Sequence, residues 1–225
     1  MKILIVEDEQ QLLESISGYL GKQGFICGEA TTLLEAEDKL SLYQYNILIL
    51  DITLPDGNGL DLIKLLRKSN PDTGILIVSA KNSLDDKLTG LDLGADDYIT
   101  KPFHLSELNS RVNAIIRRKY FHGNSHIIHN EVEIDTDSKQ GIVNNKPLNL
   151  TKKEYDLLLY FITNKNRVLT KEAIAEHLWG DNIDLADNFD FVYTHIKNIR
   201  KKIMLEGGAD YLKTVYGVGY KFTDR

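Results

Sequence analysis

The chain is poor in the residues that staple, kink or anchor a protein. One cysteine, Cys27, stands among 225 residues, which excludes an internal disulfide framework and a multi-cysteine metal site. Its place between Ile26 and Gly28 in a strand-like run predicts a small buried hydrophobe and no redox role. Prolines number only four and no tract is of low complexity, so disordered and fibrous classes are excluded. No apolar run approaches the roughly 20 residues that cross a bilayer. The opening run Met1–Val6 meets acid at Glu7 and Asp8, unlike a secretory signal, so a cytoplasmic protein with no membrane partner is expected. Internal repeats are also lacking. What is present, 42% hydrophobic and 27% charged residues, is the balance of an ordinary globular protein of one or two domains.

A formal net charge of −6 argues at first against nucleic acid. The average hides an asymmetry: residues 1–118 carry 12 Lys and Arg against 18 Asp and Glu, whereas residues 119–225 carry 15 of each. All the surplus acid lies in the first half. The second half places Lys197, Arg200, Lys201 and Lys202 within six positions, so a local basic face survives in a protein of negative overall field.

Along the first half, apolar runs at Lys2–Val6, Phe25–Cys27, Ile47–Leu50, Ile75–Val78 and Tyr98–Thr100 alternate with helical patterns, the last from about Leu105 to Tyr120. Strands separated by helices predict a doubly wound parallel sheet, and near-continuous apolar strands suit a sheet covered on both faces. A polar stretch at residues 121–125 then breaks the pattern. Beyond it, His126–Leu150 alternates short extended segments with turn signals at His129-Asn130, Asp135-Thr136-Asp137 and Asn144-Asn145, which predicts a small antiparallel sheet. Helical patterns follow at Lys152–Thr163, Lys171–Trp179 and Asn188–Met204, and a hairpin signal at Tyr211–Val215 and Tyr220–Phe222 closes the chain.

Ligands of open α/β sheets bind beyond the carboxyl ends of the strands. There the predicted strands deliver Glu7 and Asp8, Asp51, Ser79 and, before Pro102, Lys101. Taken alone, an acidic pair after a strand is an ordinary helix N-terminus; one functional group at the end of four different strands is hard to read as surface decoration. Clustered carboxylates repel unless a cation joins them, and oxygen-only ligands suit Mg²⁺. A carboxylate beside such an ion can attack phosphorus, with Lys101 offsetting phosphoryl charge.

The runs Val6-Glu7-Asp8-Glu9, Asp51-Ile52-Thr53-Leu54-Pro55-Asp56-Gly57-Asn58-Gly59, Ser79-Ala80 and Gly94–Phe103 resemble the receiver domain of bacterial two-component response regulators. That resemblance implies a flavodoxin-like (βα)5 fold over residues 1–119. It makes Asp51 the phospho-acceptor and has Mg²⁺ held by Asp8, Asp51 and the Thr53 carbonyl, with Glu7 assisting through water. Lys101 would contact the phosphoryl group, its bond to Pro102 would be cis, and Ser79 with Tyr98 would form the switch. Ser79 stands where the family more often has Thr and keeps the hydroxyl. Phosphatases of the haloacid dehalogenase type need a second Asp two residues after the nucleophile, where this chain has Thr53. A phospho-accepting regulator, slow at most in self-dephosphorylation, is therefore expected and not an enzyme.

In Asn188–Met204 the apolar stripe is Val192, Ile196, Ile199 and Ile203. The opposite face presents Thr194, Lys197, Asn198 and Lys201, flanked by Tyr193 and Arg200. Cations mixed with Asn and Thr can read base edges. Residues 126–225, after a linker at 120–125, resemble the α+β winged helix-turn-helix domain of the OmpR/PhoB subfamily, with His195–Lys202 in the recognition helix and Thr214–Tyr220 as wing. Tyr216 and Asn198 stand where relatives often have Arg, and Lys221 is left to supply a phosphate contact.

The resemblance implies a sensor histidine kinase, a direct-repeat site on double-stranded DNA and a homodimer formed on phosphorylation as partners, with RNA polymerase as a further candidate. Its dimer ion pairs match Lys87 with Glu107, Asp97 with Arg111, and Asp92 with Arg118. A constitutive architectural DNA-binding protein is disfavoured because the acidic site would have no purpose. A stand-alone phosphotransfer enzyme is disfavoured by Thr53 and by the whole second domain.

Overall fold

In the computed structural model of the chain, residues 1–80, 84–121, 123–180 and 189–224 are described. They divide into two units, residues 1–122 and 123–225. The first contains β1 (Lys2–Val6), α1 (Gln10–Lys22), β2 (Ile26–Ala30), α2 (Leu33–Leu42), β3 (Ile47–Asp51), β4 (Thr53–Leu54), β5 (Gly57–Asn58), α3 (Gly59–Ser69), β6 (Gly74–Ser79), α4 (Leu84–Asp92), β7 (Asp97–Thr100) and α5 (Leu105–Tyr120). Five parallel strands are ordered β2-β1-β3-β6-β7. The order reverses at β1, which lies between β2 and β3, so a crevice opens at the carboxyl ends of β1 and β3.

Sequence explains the layers. Every residue of β1, β3 and β6 is buried, as strands with helices on both faces require. Leu13, Ile16 and Leu20 of α1, and Leu108, Val112, Ile115 and Ile116 of α5, recur at helical spacing and are buried. The sequence places the second strand at Phe25–Cys27; the structure places β2 at Ile26–Ala30. Gly28 and Glu29 are poor strand formers, and pairing with β1 from Lys2↔Ile26 to Val6↔Ala30 overrides their propensity. A Cβ on Gly28 would lie 2.6 Å from the Tyr45 hydroxyl, so the glycine makes room for that ring. Cys27 is half-buried, not buried as its setting predicts; burial still pushes its thiol up to about 11. Among the described residues no helix is long and apolar enough to cross a membrane.

The second unit opens with an antiparallel sheet of β8 (His126–His129), β9 (Val132–Asp135), β10 (Gln140–Val143) and β11 (Lys146–Pro147), ordered β11-β10-β9-β8. Asn130, Asn144 and Asn145 occupy left-handed backbone in its turns, the conformation that made them turn signals. Then come α6 (Lys152–Thr163), β12 (Val168–Thr170), α7 (Lys171–Trp179), α8 (Asp190–Leu205), β13 (Leu212–Val215) and β14 (Gly219–Phe222). The closing hairpin is joined by β12, giving the order β12-β14-β13. β12 has only three residues, too few to show a period in the sequence. The start expected at Asn188 for the last helix lies outside the described residues.

A capping box opens α6: the Thr151 hydroxyl oxygen accepts from the Glu154 amide at 3.3 Å, and the Glu154 carboxylate accepts from the Thr151 amide at 2.8 Å. The same carboxylate, buried, accepts from Lys202 of α8 at 2.6 Å, so the cap fastens two helices together. Burial opposes the Glu154 charge, but Lys202 and the Thr151 amide outweigh it and hold the carboxyl below its usual range. A carboxyl depressed in the folded state contributes stability above its unfolded pKa and loses it as pH falls through the folded one. Glu154→Gln is therefore expected to cost about 1–3 kcal/mol at neutral pH, with the difference from wild type shrinking in acid. Trp179, the sole tryptophan, lies in this unit and reports its unfolding by fluorescence; a difference independent of pH would contradict the assignment.

Candidate functional site

Glu7 and Asp8 follow β1, Asp51 ends β3, Ser79 ends β6, and Lys101 follows β7. The parallel sheet thus brings all five to one edge. Lys101 reaches across it, its Nζ donating to Glu7 Oε1 at 2.7 Å and to Asp51 Oδ2 at 2.6 Å. Glu7 is 1% exposed and Asp51 6%, so two buried carboxylates share one ammonium. Burial raises the Glu7 pKa, and Lys101 only partly offsets it. Burial works against the Lys101 charge, but hydrogen bonds to Asp51 and Glu7 outweigh it and raise the Lys101 pKa.

Asp8 stands exposed on the open side. Ligand oxygens of Glu7, Asp8 and Asp51 lie within 4.8 Å of one another. Three carboxylates against one ammonium leave a negative balance, and an all-oxygen set of this kind could hold a hard metal ion.

Asp51 is also held from its own loop. Its Oδ1 accepts from the Thr53 amide at 2.9 Å, while the Thr53 side chain is exposed. Gly59 at the start of α3 donates its amide to the Ile52 carbonyl at 2.8 Å. A Cβ there would lie 2.4 Å from the Asp51 carbonyl oxygen, so only glycine lets α3 start this close to the strand end. Nothing in the spacing of apolar residues marks Gly59; the Asp56-Gly57-Asn58-Gly59 run reads simply as a turn. Ser79 is fully buried, and Tyr98 packs into the core beside Ile77. The Lys101-Pro102 bond is cis, and the Lys101 amide donates to the Ser79 carbonyl at 2.9 Å.

On α8, Val192, Ile196, Ile199 and Ile203 are buried, and Thr194, Lys197, Asn198 and Lys201 are exposed, with Tyr193 55% exposed beside them. The structure divides the basic cluster. Lys197 and Lys201 have no ion-pair partner among the described residues. Arg200, which the sequence reading sets on the DNA-facing flank, instead gives its guanidinium to Asp210 at 3.0 and 2.6 Å, and Lys202 is committed to Glu154. In the hairpin, Tyr216 is 92% exposed at the turn, whereas Lys221 is half-buried in the central strand β14.

The residues expected to pair across a dimer are partly engaged within one chain. Arg111 donates to both oxygens of Asp97 at 3.1 and 2.9 Å and to Glu107 at 3.1 and 2.8 Å. Arg118 donates to the Asp96 carbonyl at 3.2 Å. Lys87 is half-buried and Asp92 exposed.

Residues 3–113 match the response regulator receiver domain family, and residues 145–222 match the family described as transcriptional regulatory protein, C terminal. The chain is 37% identical over 223 residues to the transcriptional regulatory protein PmrA of Pectobacterium parmentieri, covering 99% of this chain and 98% of that protein. It is 40% identical over 219 residues to the response regulator ArlR of Staphylococcus haemolyticus, covering 97% of each. Its first unit is similar to the crystal structure of a two-component response regulator from Clostridium difficile, at 32% identity and a TM-score of 0.51, over 52% of this chain and 97% of that one.

A receiver domain carrying an acidic, lysine-bridged site and a winged-helix DNA-binding domain in one chain define a transcription regulator, not an enzyme. The chain belongs to the two-component response regulators of the OmpR/PhoB type. Such a receiver implies a histidine kinase partner, and such an effector domain implies DNA.

Proposed function

We propose that Asp51 is the phospho-acceptor through which a sensor histidine kinase controls DNA binding by α8. The observation that carries this reading is the Lys101 ammonium placed between Asp51 and Glu7. An Asp51 oxygen attacks the phosphorus of a phosphohistidine, the phosphorus–nitrogen bond breaks, and the imidazole leaves in its neutral form after its ring takes up a proton from solvent. Asp8, Asp51 and the Thr53 carbonyl would hold Mg²⁺, with Glu7 assisting through water. Mg²⁺, when bound, neutralises charge on the phosphoryl oxygens. Lys101 exchanges its Asp51 carboxylate partner for a phosphoryl oxygen, the Ser79 hydroxyl binds another, and Tyr98 follows as the switch.

The phosphorylated chain works in the cytoplasm as a homodimer. Lys87, Asp92, Asp97, Glu107, Arg111 and Arg118 line the interface. Pairs of this exposed kind contribute about 0–1 kcal/mol each, so they set orientation more than strength. Because Arg111 is already bound to Asp97 and Glu107 within its own chain, dimerisation would exchange that residue's partners and not create them. Two α8 helices enter the major groove at direct-repeat half-sites roughly 10–10.5 bp apart, and RNA polymerase is the downstream partner. Lys197 and Lys201 meet phosphate or guanine, Asn198 suits the N6 and N7 atoms of adenine, and Thr194, Tyr193 and Tyr216 complete the contact surface. Arg200 acts through Asp210 to orient α8, and Lys221 contributes charge from β14.

Asp51→Asn is expected to abolish the Mg²⁺-dependent, base-labile phosphoryl adduct formed from acetyl phosphate, because an amide is a poor nucleophile. Labelling of the variant at the wild-type level would contradict the assignment. On DNA, Lys201→Ala should weaken binding to all sequences and reduce the salt slope by about one phosphate. Asn198→Ala should relax preference at one base position by about 1–3 kcal/mol. Titrations against a selected site and its single-base variants at two salt concentrations separate the two effects, and unaltered base preference in Asn198→Ala would rule out direct readout by that residue.

A further inference from the structure

The segment that follows Asp51 is exposed at Thr53 and from Pro55 to Asn58, and β4 and β5 pair over only two residues each. Besides the Thr53–Asp51 and Gly59–Ile52 bonds within it, the segment has a hold from outside. Asp56 Oδ1 accepts the Leu33 amide at 2.8 Å, and Asp56 Oδ2 accepts the Leu34 amide at 3.0 Å. These two amides hold the Asp56 carboxyl below the usual carboxylate range. They are the first two of α2, and a helix N-terminus favours a carboxylate. The helix also has its own cap, the Thr32 hydroxyl oxygen accepting from the Glu35 amide at 3.2 Å. Asp56 is thus a second, long-range tie, 22 and 23 residues from its partners.

The corner that Asp56 grips is itself fastened to the other side of the acidic site. The Glu7 amide donates to the Ala30 carbonyl at 3.0 Å, and Glu35 accepts from both the amide and the hydroxyl of Thr31, at 2.8 and 3.0 Å. A path of hydrogen bonds therefore runs from Glu7 through residues 30–35 to Asp56, and from the Asp56 loop back to Asp51 through the Thr53 amide. The β1 limb carries Glu7 and Asp8; the β3 limb carries Asp51 and the Thr53 carbonyl.

We infer that Asp56 is a positioning residue that sets the separation of these two limbs, so that cation affinity at Glu7, Asp8 and Asp51 depends on a carboxylate that does not touch the cation. The inference rests on the reading of those three acids as a Mg²⁺ site. It differs from a helix-capping role because capping would fray α2 without loosening the Asp51 loop.

Three variants of the full chain test it: Asp56→Ala, Asp56→Asn and, as a control on the same helix end, Thr32→Ala. Mg²⁺ binding is measured by calorimetry with MgCl2 alone. Acetyl phosphate labelling is followed across Mg²⁺ concentrations, and thermal midpoints are taken without Mg²⁺. Asp56→Ala should weaken Mg²⁺ binding about tenfold, the low end of what outer contacts to a metal site contribute. It should raise the half-saturating Mg²⁺ for labelling by the same factor and leave the rate at saturating Mg²⁺ unchanged. Asp56→Asn, which keeps one acceptor oxygen of two, should fall between. Thr32→Ala should lower the thermal midpoint and leave Mg²⁺ affinity at the wild-type value. Wild-type Mg²⁺ affinity in Asp56→Ala, or an equal loss in Thr32→Ala, would overturn the inference while leaving the metal reading intact. Failure of the wild-type chain itself to bind Mg²⁺ would overturn both.

Discussion

Two buried carboxylates facing one ammonium are the constraint on which the receiver unit depends. Lys101, at 2.7 Å from Glu7 and 2.6 Å from Asp51, is the cation that pairs both carboxylates at this depth. The sheet order serves the same need: adjacent β1 and β3 set residues 7 and 51 side by side, and parallel β7, beyond β6, delivers residue 101 to the same edge. Asp8, exposed beside them, leaves the cluster with more negative charge than Lys101 can balance. The site is therefore left short of positive charge, a deficit that suits it to a hard cation.

The same economy of charge governs the second unit. Four cations crowd residues 197–202, yet two of them are spent inside the fold, Arg200 on Asp210 and Lys202 on Glu154. These pairs fix α8 against its neighbours and leave Lys197 and Lys201 facing outward with Asn198 and Thr194. Under the proposed function, these four side chains are what α8 has left to offer DNA in a chain of net charge −6.

Much of this was legible in the sequence because period and position coincide. Continuous apolar runs give β1, β3 and β6 to within a residue or two, and the stripes of α5, α6 and α7 give their bounds. The Asn turns marked the antiparallel sheet. The acidic site was legible because strand ends name its residues. What escaped the sequence depends on partners distant in the chain. β2 is extended at Gly28 and Glu29 only because β1 lies beside it, and β12 is a strand only because β14 is. The close approach at Gly59, the grip of Asp56 on α2 and the internal use of Arg200 and Lys202 have no local signature either. A one-dimensional reading sees a cation; three-dimensional packing decides which way it points.

Under the proposed function, occupancy of the Lys101-bridged site controls DNA binding by the second unit. The most direct measurement is the affinity of the full chain for a selected direct-repeat DNA, with and without beryllium trifluoride and Mg²⁺, which together mimic a stable phosphoryl group. Binding is expected to tighten with the mimic by about fivefold or more, the usual lower range of coupling between two sites. Equal affinity in both conditions, with the mimic bound, would contradict it.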